Sequence, residues 1–136
     1  MIAFLDASAL IYLVDGEAAW AEVAQVALQQ LASETSALQI AVSRLSVLEC
    51  RVGPLRRGDQ ASLDRFDALF AQPGLLFVEL TASVVELATE LRAKHGLRTP
   101  DALQAACCLT LGSKAVMLSG DTGFQRVPGL VLRLIS

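Results

Sequence analysis

The chain has 136 residues, enough for one domain with its own core, and 54% of them are hydrophobic. Its formal net charge of −3 argues against broad, charge-driven binding to nucleic acid. The most apolar window, residues 102–118, is interrupted by polar side chains and falls short of the roughly 20 apolar residues of a membrane span. The N-terminal stretch has no basic region and carries Asp6, so we do not expect a signal peptide.

The first predicted element is a strand over residues 2–5, because an apolar run without alternation is typical of a strand covered on both faces. Further strands are predicted where apolar runs lie between turn residues, over residues 39–42, 75–80 and 115–118. Residues 127–134 are predicted to hold a last strand, after Pro128-Gly129. Helices are predicted where apolar residues recur at helical spacing, over residues 8–14, 17–33, 44–52, 59–70, 82–95 and 100–111.

Capping residues indicate where several helices begin and end. Ser43, Thr81 and Thr99 have the side chains of N-caps, and Thr99 is followed by a proline at the first helical position. Gly53-Pro54 predicts the end of the helix that begins after Ser43. Strands that alternate with helices predict one three-layer α/β/α domain, built on a mostly parallel sheet, over residues 1–136.

The three cysteines lie in apolar helical contexts, and adjacent Cys107 and Cys108 do not match the spacing of zinc ligands. We expect Cys50, Cys107 and Cys108 to be reduced core residues of a cytoplasmic protein. The high apolar content further predicts an exposed patch that a partner or a second copy covers.

Three aspartates lie at predicted element ends. Asp6 and Asp121 each follow a strand, at the edge where open α/β sheets bind ligands. Asp101 lies in the first turn of the helix that follows Thr99. Each has an ordinary alternative: Asp6 as an N-cap, Asp101 as an acid that the helix dipole favours, and Asp121 as a turn residue.

Glu49 is the most informative acid. Leu45, Leu48, Glu49 and Val52 recur at helical spacing, so Glu49 interrupts an apolar stripe and has no basic neighbour on the helix. A buried, unpaired carboxylate is costly, so Glu49 must be neutral, find a distant partner or face a cation. The alternative is a glutamate at the edge of the stripe that reaches solvent.

Together the four acids predict a cation site. Two unit charges about 4 Å apart repel by about 4 kcal/mol at an effective dielectric near 20. Several such pairs rival a net stability of about 5–15 kcal/mol, so the cluster must take up protons or divalent cations. Ligands that are all oxygen favour Mg²⁺ or Mn²⁺ over Zn²⁺, and such ions support hydrolysis of phosphodiesters.

Four stretches resemble, in order, the acidic motifs of PIN-domain ribonucleases, in particular VapC-like toxins. The stretches contain Asp6 in LDASALIYL, Glu49 in SRLSVLECR, Asp101 in RTPDALQAA and Asp121 in LSGDTGF. The resemblance implies a Mg²⁺- or Mn²⁺-dependent endoribonuclease with a Rossmann-like sheet, usually a homodimer. It also implies a cognate antitoxin that occludes the site. One position departs from the pattern, because Gly123 stands where some members carry a further acid, which puts a second metal site in doubt.

The resemblance also assigns roles to residues. Asp6, Asp101 and Asp121 would hold metal, and Glu49 would orient or deprotonate the attacking water or ligate a second ion. Ser8 matches the family's hydroxyl position that holds a carboxylate or a metal-bound water, and Ser119 resembles the Ser/Thr that precedes the last motif. Hydrolysis would leave a 5′-phosphate and a 3′-hydroxyl.

Basic residues that flank the acids in sequence are candidates to contact RNA, namely Arg51, Arg56, Arg57 and Arg98. Ordinary solvated positions or antitoxin contacts are the alternative for each of them. A second function remains open, a catalytically weak PIN-like module that binds a protein partner. Receiver domains and haloacid-type phosphatases fit less well, because the paired acids of their first motif are missing: Ala7 and Ser8 follow Asp6.

Overall fold

The computed structural model describes residues 1–135 and contains a run of strands and helices close to the predicted one. In chain order the elements are β1 (Ile2–Leu5), α1 (Ala7–Asp15), α2 (Ala18–Ser33), β2 (Gln39–Ser43), α3 (Arg44–Arg57), α4 (Gln60–Phe70), β3 (Leu76–Val78), α5 (Ala82–His95), α6 (Thr99–Thr110), β4 (Ala115–Ser119), a 3-10 helix (Thr122–Arg126) and β5 (Leu132–Leu134).

The strands form one sheet in the order β3-β2-β1-β4-β5, and every neighbouring pair is parallel. β1 is central: Ile2 lies opposite Gln39 of β2 and opposite Ala115 of β4. Because parallel strands end at the same edge, the residues that follow β1 and β4 meet there although more than a hundred positions separate them. The parallel sheet predicted from the sequence is confirmed.

Alternation along β1 divides the core between the two faces of the sheet. Ala3 and Leu5 pack with α1, α2 and α4 on one face, whereas Phe4 packs with α5 and α6 on the other. The predicted three-layer α/β/α architecture is therefore confirmed. Within residues 1–135 no helix is both long enough and apolar enough to cross a membrane.

Two of the three helix caps predicted above, Ser43 and Thr81, are confirmed. Ser43 accepts a hydrogen bond from the Ser46 amide at 3.2 Å, and Thr81 accepts one from the Val84 amide at 3.2 Å. The predicted cap of α6 is wrong by one residue. Arg98 occupies the N-cap position of α6 without a side-chain cap, and Thr99 is the first helical residue.

The predicted end of α3 is also wrong, because the helix continues through Gly53-Pro54 to Arg57. A proline inside a helix lacks the backbone N–H of one helical hydrogen bond and often ends the helix. Here Pro54 is buried, and α3 continues past it for one more turn. The helix ends at Gly58 instead, which adopts the left-handed conformation at φ 67° and donates its amide to the Leu55 carbonyl at 3.3 Å.

Two strands are shorter than predicted. β5 covers only Leu132–Leu134 and begins three residues after the turn at Pro128-Gly129. β3 covers only Leu76–Val78 and lies at the opposite edge of the sheet. The three cysteines are buried, as predicted.

Candidate active site

The ends of β1 and β4 form the floor of the candidate site. Leu5 lies opposite Leu118 in the sheet, and the Asp6 amide donates to the Leu118 carbonyl at 3.3 Å. Asp6 is only 5% exposed, although it is a charged residue at a strand end. The topology therefore sets Asp6 beside the segment that carries Ser119 and Asp121, as the sequence predicts.

Both carboxylate oxygens of Asp6 are held by donors. Oδ1 accepts from the Ser8 hydroxyl at 2.7 Å and from the Ala9 amide at 3.0 Å, and Oδ2 accepts from the Ser119 hydroxyl at 2.5 Å. Asp6 is thus the N-cap of α1 and also a buried acid, so the two interpretations offered for it are compatible. Burial raises the pKa of Asp6, the three hydrogen bonds oppose that shift, and the charge of Asp121 adds to it.

The loop after β4 folds onto the start of α1. The Ser119 hydroxyl accepts from the Asp121 amide at 2.9 Å, and the Ser8 hydroxyl accepts from the Gly120 amide at 3.2 Å. Asp121 in turn accepts from the Gly123 amide at 2.8 Å through Oδ1. Ser8 and Ser119, both singled out from the sequence, therefore connect the two aspartates through one network of hydrogen bonds.

Tyr12 explains why residue 120 is a glycine. A Cβ at Gly120 would lie 2.8 Å from Cε2 of Tyr12 and 3.0 Å from its hydroxyl oxygen. The Tyr12 ring is itself stacked on Trp20, with 5.1 Å between the ring centroids, so a shift of the ring away from residue 120 would disturb that contact. The loop after β4 can approach α1 this closely because Gly120 has no side chain.

Glu49 lies near the site, but the stripe argument that identified it is wrong. Leu48 is 62% exposed and Val52 is 42% exposed, so the apolar stripe of α3 faces solvent and not the core. The buried side of α3 carries Ser46, Cys50 and Pro54. Glu49 is half-buried between these two sides.

The partner of Glu49 is an amide that the sequence analysis missed. Gln104 of α6 donates from Nε2 to Glu49 Oε1 at 2.9 Å and to the Ser46 hydroxyl at 2.9 Å. Burial raises the pKa of Glu49, the hydrogen bond from Gln104 opposes that shift, and the charges of Asp6 and Asp101 add to it. No pattern in the sequence indicates that α3 and α6 contact each other. The one feature that could have pointed to Gln104 is that it is the single glutamine of the apolar helix α6.

Asp101 lies in the first turn of α6, where the helix dipole favours an acid. Burial raises its pKa, as does the charge of Asp121, whereas Arg98 and Arg126 oppose the shift. Arg98 Nε lies 3.6 Å from Asp101 Oδ2. Arg126, which belongs to the 3-10 helix, is a second residue that the sequence analysis missed.

The other arginines named from the sequence lie elsewhere. Arg51 pairs with Asp67 at 2.8 Å, and Arg57 lies 3.6 Å from Asp15 and 3.6 Å from Asp59. Arg56 is exposed on the last turn of α3 and forms no ion pair within residues 1–135. Of these four, only Arg98 is paired with an acid of the candidate site.

The four acids affect one another electrostatically without forming a compact ligand set. The pKa of Asp6 is raised by burial and by Asp121, that of Glu49 by burial and by Asp6 and Asp101, and that of Asp101 by burial and by Asp121. Among the described residues, no three Asp, Glu, His or Cys side chains are grouped closely enough to hold an ion as they stand. The all-oxygen donor set fits Mg²⁺ or Mn²⁺ in chemistry, and the side chains would have to converge to bind one.

A parallel sheet with four acids at its carboxyl edge defines the class of protein. The chain belongs to the PIN domain family, whose model matches residues 3–130. No curated protein matches the chain in sequence.

Solved structures with a similar fold include three from bacteria. VapBC2 from Rickettsia felis, bound to a DNA fragment from its promoter, aligns over 100% of both chains with 22% identity and a TM-score of 0.75. A toxin-antitoxin complex from Klebsiella pneumoniae aligns over 95% of both chains with 22% identity and a TM-score of 0.70. VapBC-1 from nontypeable Haemophilus influenzae aligns over 98% of this chain and 97% of its own, with 18% identity and a TM-score of 0.72. At these identities the likeness establishes the fold.

Proposed function

We propose that this protein is a metal-dependent endoribonuclease and the toxin of a toxin–antitoxin pair. The observation that carries the proposal is the set of four carboxylates, Asp6, Glu49, Asp101 and Asp121, which four separate segments bring to one edge of the sheet. The charge of Asp121 raises the pKa of Asp6 and of Asp101, and the charges of Asp6 and Asp101 raise that of Glu49. Membership of the PIN family supports nuclease activity. The three structural neighbours are toxin–antitoxin complexes, which supports the second part of the proposal.

In this proposal Asp6, Asp101 and Asp121 hold Mg²⁺ or Mn²⁺, with Glu49 beside them. The ion supplies positive charge against a phosphodiester and makes a bound water more acidic. Ser8 and Ser119 fix the orientation of the Asp6 carboxylate through both of its oxygens. Glu49 orients the attacking water or accepts its proton, and the products carry a 5′-phosphate and a 3′-hydroxyl.

Two arginines near the site, Arg98 and Arg126, are suited to contact the phosphates of an RNA backbone. Arg98 is largely exposed, with 83% of its side chain accessible, and is paired with Asp101 at 3.6 Å. Arg126 also acts on the pKa of Asp101. A guanidinium near the cleaved phosphate can bind two of its oxygens at once, which favours arginine over lysine here. We propose Arg98 and Arg126 as phosphate contacts and Arg56 as a weaker, peripheral one.

A protein partner is supported by the surface of α3. Leu48, Val52 and Leu55 are 62%, 42% and 57% exposed, and Leu80 beside them is 38% exposed. Contiguous apolar surface of this kind marks interaction sites in soluble proteins. We propose that the protein forms a homodimer and binds an antitoxin, and that this stripe is covered in one of the two assemblies.

A second function is favoured by one observation, the absence of any three acids within residues 1–135 that are grouped closely enough to bind an ion. Gly123, which stands where some family members carry a further acid, also favours this second function. A protein with this site unassembled would act as a catalytically weak PIN-like interaction module. The two candidates differ in one measurable property, namely RNA cleavage that depends on a divalent cation.

The decisive experiment is cleavage of total cellular RNA by the purified protein in Mg²⁺ or Mn²⁺ and in EDTA, with the RNA ends mapped. Asp6→Asn should abolish the metal-dependent cuts, and a parallel preparation of Glu90→Gln, an exposed acid on α5, should retain them. Cuts that persist in EDTA, or that Asp6→Asn leaves unchanged, would contradict the proposal. Complete inactivity of the wild-type protein with both ions would favour the interaction module.

A further inference from the structure

Gln104 is a buried amide that bridges two helices at the wall of the candidate site. It is 3% exposed and lies three residues after Asp101, on the same face of α6. Its Nε2 atom donates to Ser46 Oγ and to Glu49 Oε1, both at 2.9 Å. One side chain thus ties the helix that carries Asp101 to the helix that carries Glu49.

We propose that Gln104 is a positioning residue, which holds the Glu49 carboxylate toward the other three acids by donating both of its amide hydrogens to Glu49 and Ser46. The inference rests on the proposed function, since it concerns how that site is assembled. Gln104 itself takes no part in the chemistry.

The hydrogen bonds determine which way the amide points. With the amide reversed, Oε1 would face a carboxylate oxygen of Glu49, and two acceptors would oppose each other. The orientation in the structure uses both Nε2 hydrogens, so the amide is fixed against two acceptors on α3. A fixed amide defines one place for Glu49 Oε1.

Glu49 needs such a restraint because its helix does not supply one. Its neighbour Leu48 is solvent-facing, and Glu49 is itself only half-buried. A glutamate side chain has three rotatable bonds and loses considerable freedom when it is ordered. Without Gln104, rotamers that reach solvent become available, and the carboxylate moves away from Asp6 and Asp101.

Packing alone does not explain an amide at this position. Oε1 of Gln104 is, in residues 1–135, the one fully buried side-chain oxygen or nitrogen that lacks a hydrogen-bond partner. An unpaired buried acceptor lowers stability, and an apolar side chain of the same length would avoid that loss. An amide that leaves one buried acceptor unpaired and contacts a site acid is best explained by the geometry of the site. Its replacement removes that unpaired acceptor but also both hydrogen bonds from Nε2, so activity should change much more than stability.

The test uses Gln104→Met, which keeps an unbranched chain of similar length, and Gln104→Leu as a second variant. The matched control is Gln60→Met, because Gln60 also donates an amide hydrogen to an acid, Asp64 at 2.7 Å, but on the exposed face of α4. Each protein is measured for its melting temperature in EDTA, for kcat and KM on RNA, and for the place of the Glu49 carboxylate in a crystal structure without metal.

Gln104→Met removes the unpaired Oε1 but also leaves the buried Ser46 hydroxyl without its donor, so we expect it to stay folded and to melt in EDTA somewhat below the wild-type temperature. Its kcat should fall about 10- to 100-fold, and its KM should change less than about 3-fold. Its crystal structure should show the Glu49 carboxylate moved toward solvent, and Gln60→Met should match the wild type throughout. A Glu49 carboxylate that stays in place, or failure of both Gln104 variants to fold, would overturn the inference. The crystal structures give this answer even if the wild type cuts no RNA, so the inference and the proposed function can fail separately.

Discussion

Replacing Asp6 by asparagine or by alanine separates its role as a helix cap from its role as a charged ligand. Both substitutions remove the buried negative charge. Asparagine keeps an oxygen that can accept from the Ala9 amide and the Ser8 hydroxyl, and asparagine is as good an N-cap as aspartate. On the other side its Nδ2 can donate to Ser119 Oγ, whose hydroxyl hydrogen is free to turn toward Ser8 Oγ at 3.5 Å.

Alanine loses all three of these hydrogen bonds. The missing cap of α1 costs about 1 kcal/mol, within a range of about 0.5–2 kcal/mol. Ser119, which is fully buried, loses its short hydrogen bond to Asp6 and keeps only the distant Ser8 Oγ at 3.5 Å as an acceptor, and a poorly satisfied buried donor costs about 1–3 kcal/mol. We therefore expect Asp6→Ala to be about 2–4 kcal/mol less stable than Asp6→Asn, roughly 6–15 °C in melting temperature for a domain of this size.

The assay is urea or thermal unfolding in EDTA, where no metal contributes, followed by RNA cleavage in Mn²⁺. Asp6→Asn should be at least as stable as the wild type, because the charge whose pKa burial and Asp121 raise is gone. Both variants should be inactive. If Asp6→Asn were more than about 2 kcal/mol less stable than the wild type, well above the loss of about 1 kcal/mol that is typical of single substitutions, the carboxylate would be a structural group and our reasoning would be wrong.

Three further predictions follow from the same contacts. Because the pKa values of Asp6, Glu49 and Asp101 are raised, the folded metal-free protein binds protons more tightly than the unfolded chain. These carboxylates therefore destabilise the fold increasingly as the pH rises from about 4 through the raised pKa values. The stability advantage of Asp6→Asn over the wild type should be larger at pH 8 than at pH 5, and an equal advantage at both would contradict this. Gly120→Ala should destabilise the protein by about 1–3 kcal/mol in urea unfolding, since its Cβ would meet the Tyr12 ring at 2.8 Å. Leu48→Glu should lower the molecular mass measured by light scattering to that of a monomer, or else abolish antitoxin capture; if it leaves both unchanged, the apolar stripe of α3 is not the proposed interface.

The parallel sheet and its order of elements could be predicted because the relevant signals are local. The apolar run of β1 carries no alternation, and the caps Ser43 and Thr81 form hydrogen bonds within three residues of themselves. The same holds for Asp6, whose position at a strand end follows from the run that precedes it. Local signals failed at Pro54, where a buried ring was accommodated inside α3 and the left-handed Gly58 ended the helix.

Glu49 shows why a correct residue can be chosen for a wrong reason. The spacing of Leu45, Leu48 and Val52 shows that one side of α3 is apolar, but not whether the side packs against the domain or against another molecule. Here it is exposed, and Glu49 is held by Gln104, 55 positions along the chain. That contact depends on how α3 and α6 lie across the sheet, which no pattern within either helix encodes. Gln104 and Arg126 were missed for the same reason.

The distribution of counter-charges gives the strongest physical reason to expect a cation at this edge of the sheet. Hydroxyl and amide donors are the main groups that oppose the raised pKa of Asp6 and Glu49. The main cations that oppose a raised pKa at this site, Arg98 and Arg126, act on Asp101. Neutral donors orient a carboxylate without cancelling its charge, so Asp6 and Glu49 keep both their geometry and an uncompensated charge when ionised. A protein stabilised only for its own fold would pair or replace such acids, whereas a divalent cation supplies the missing charge from outside the chain.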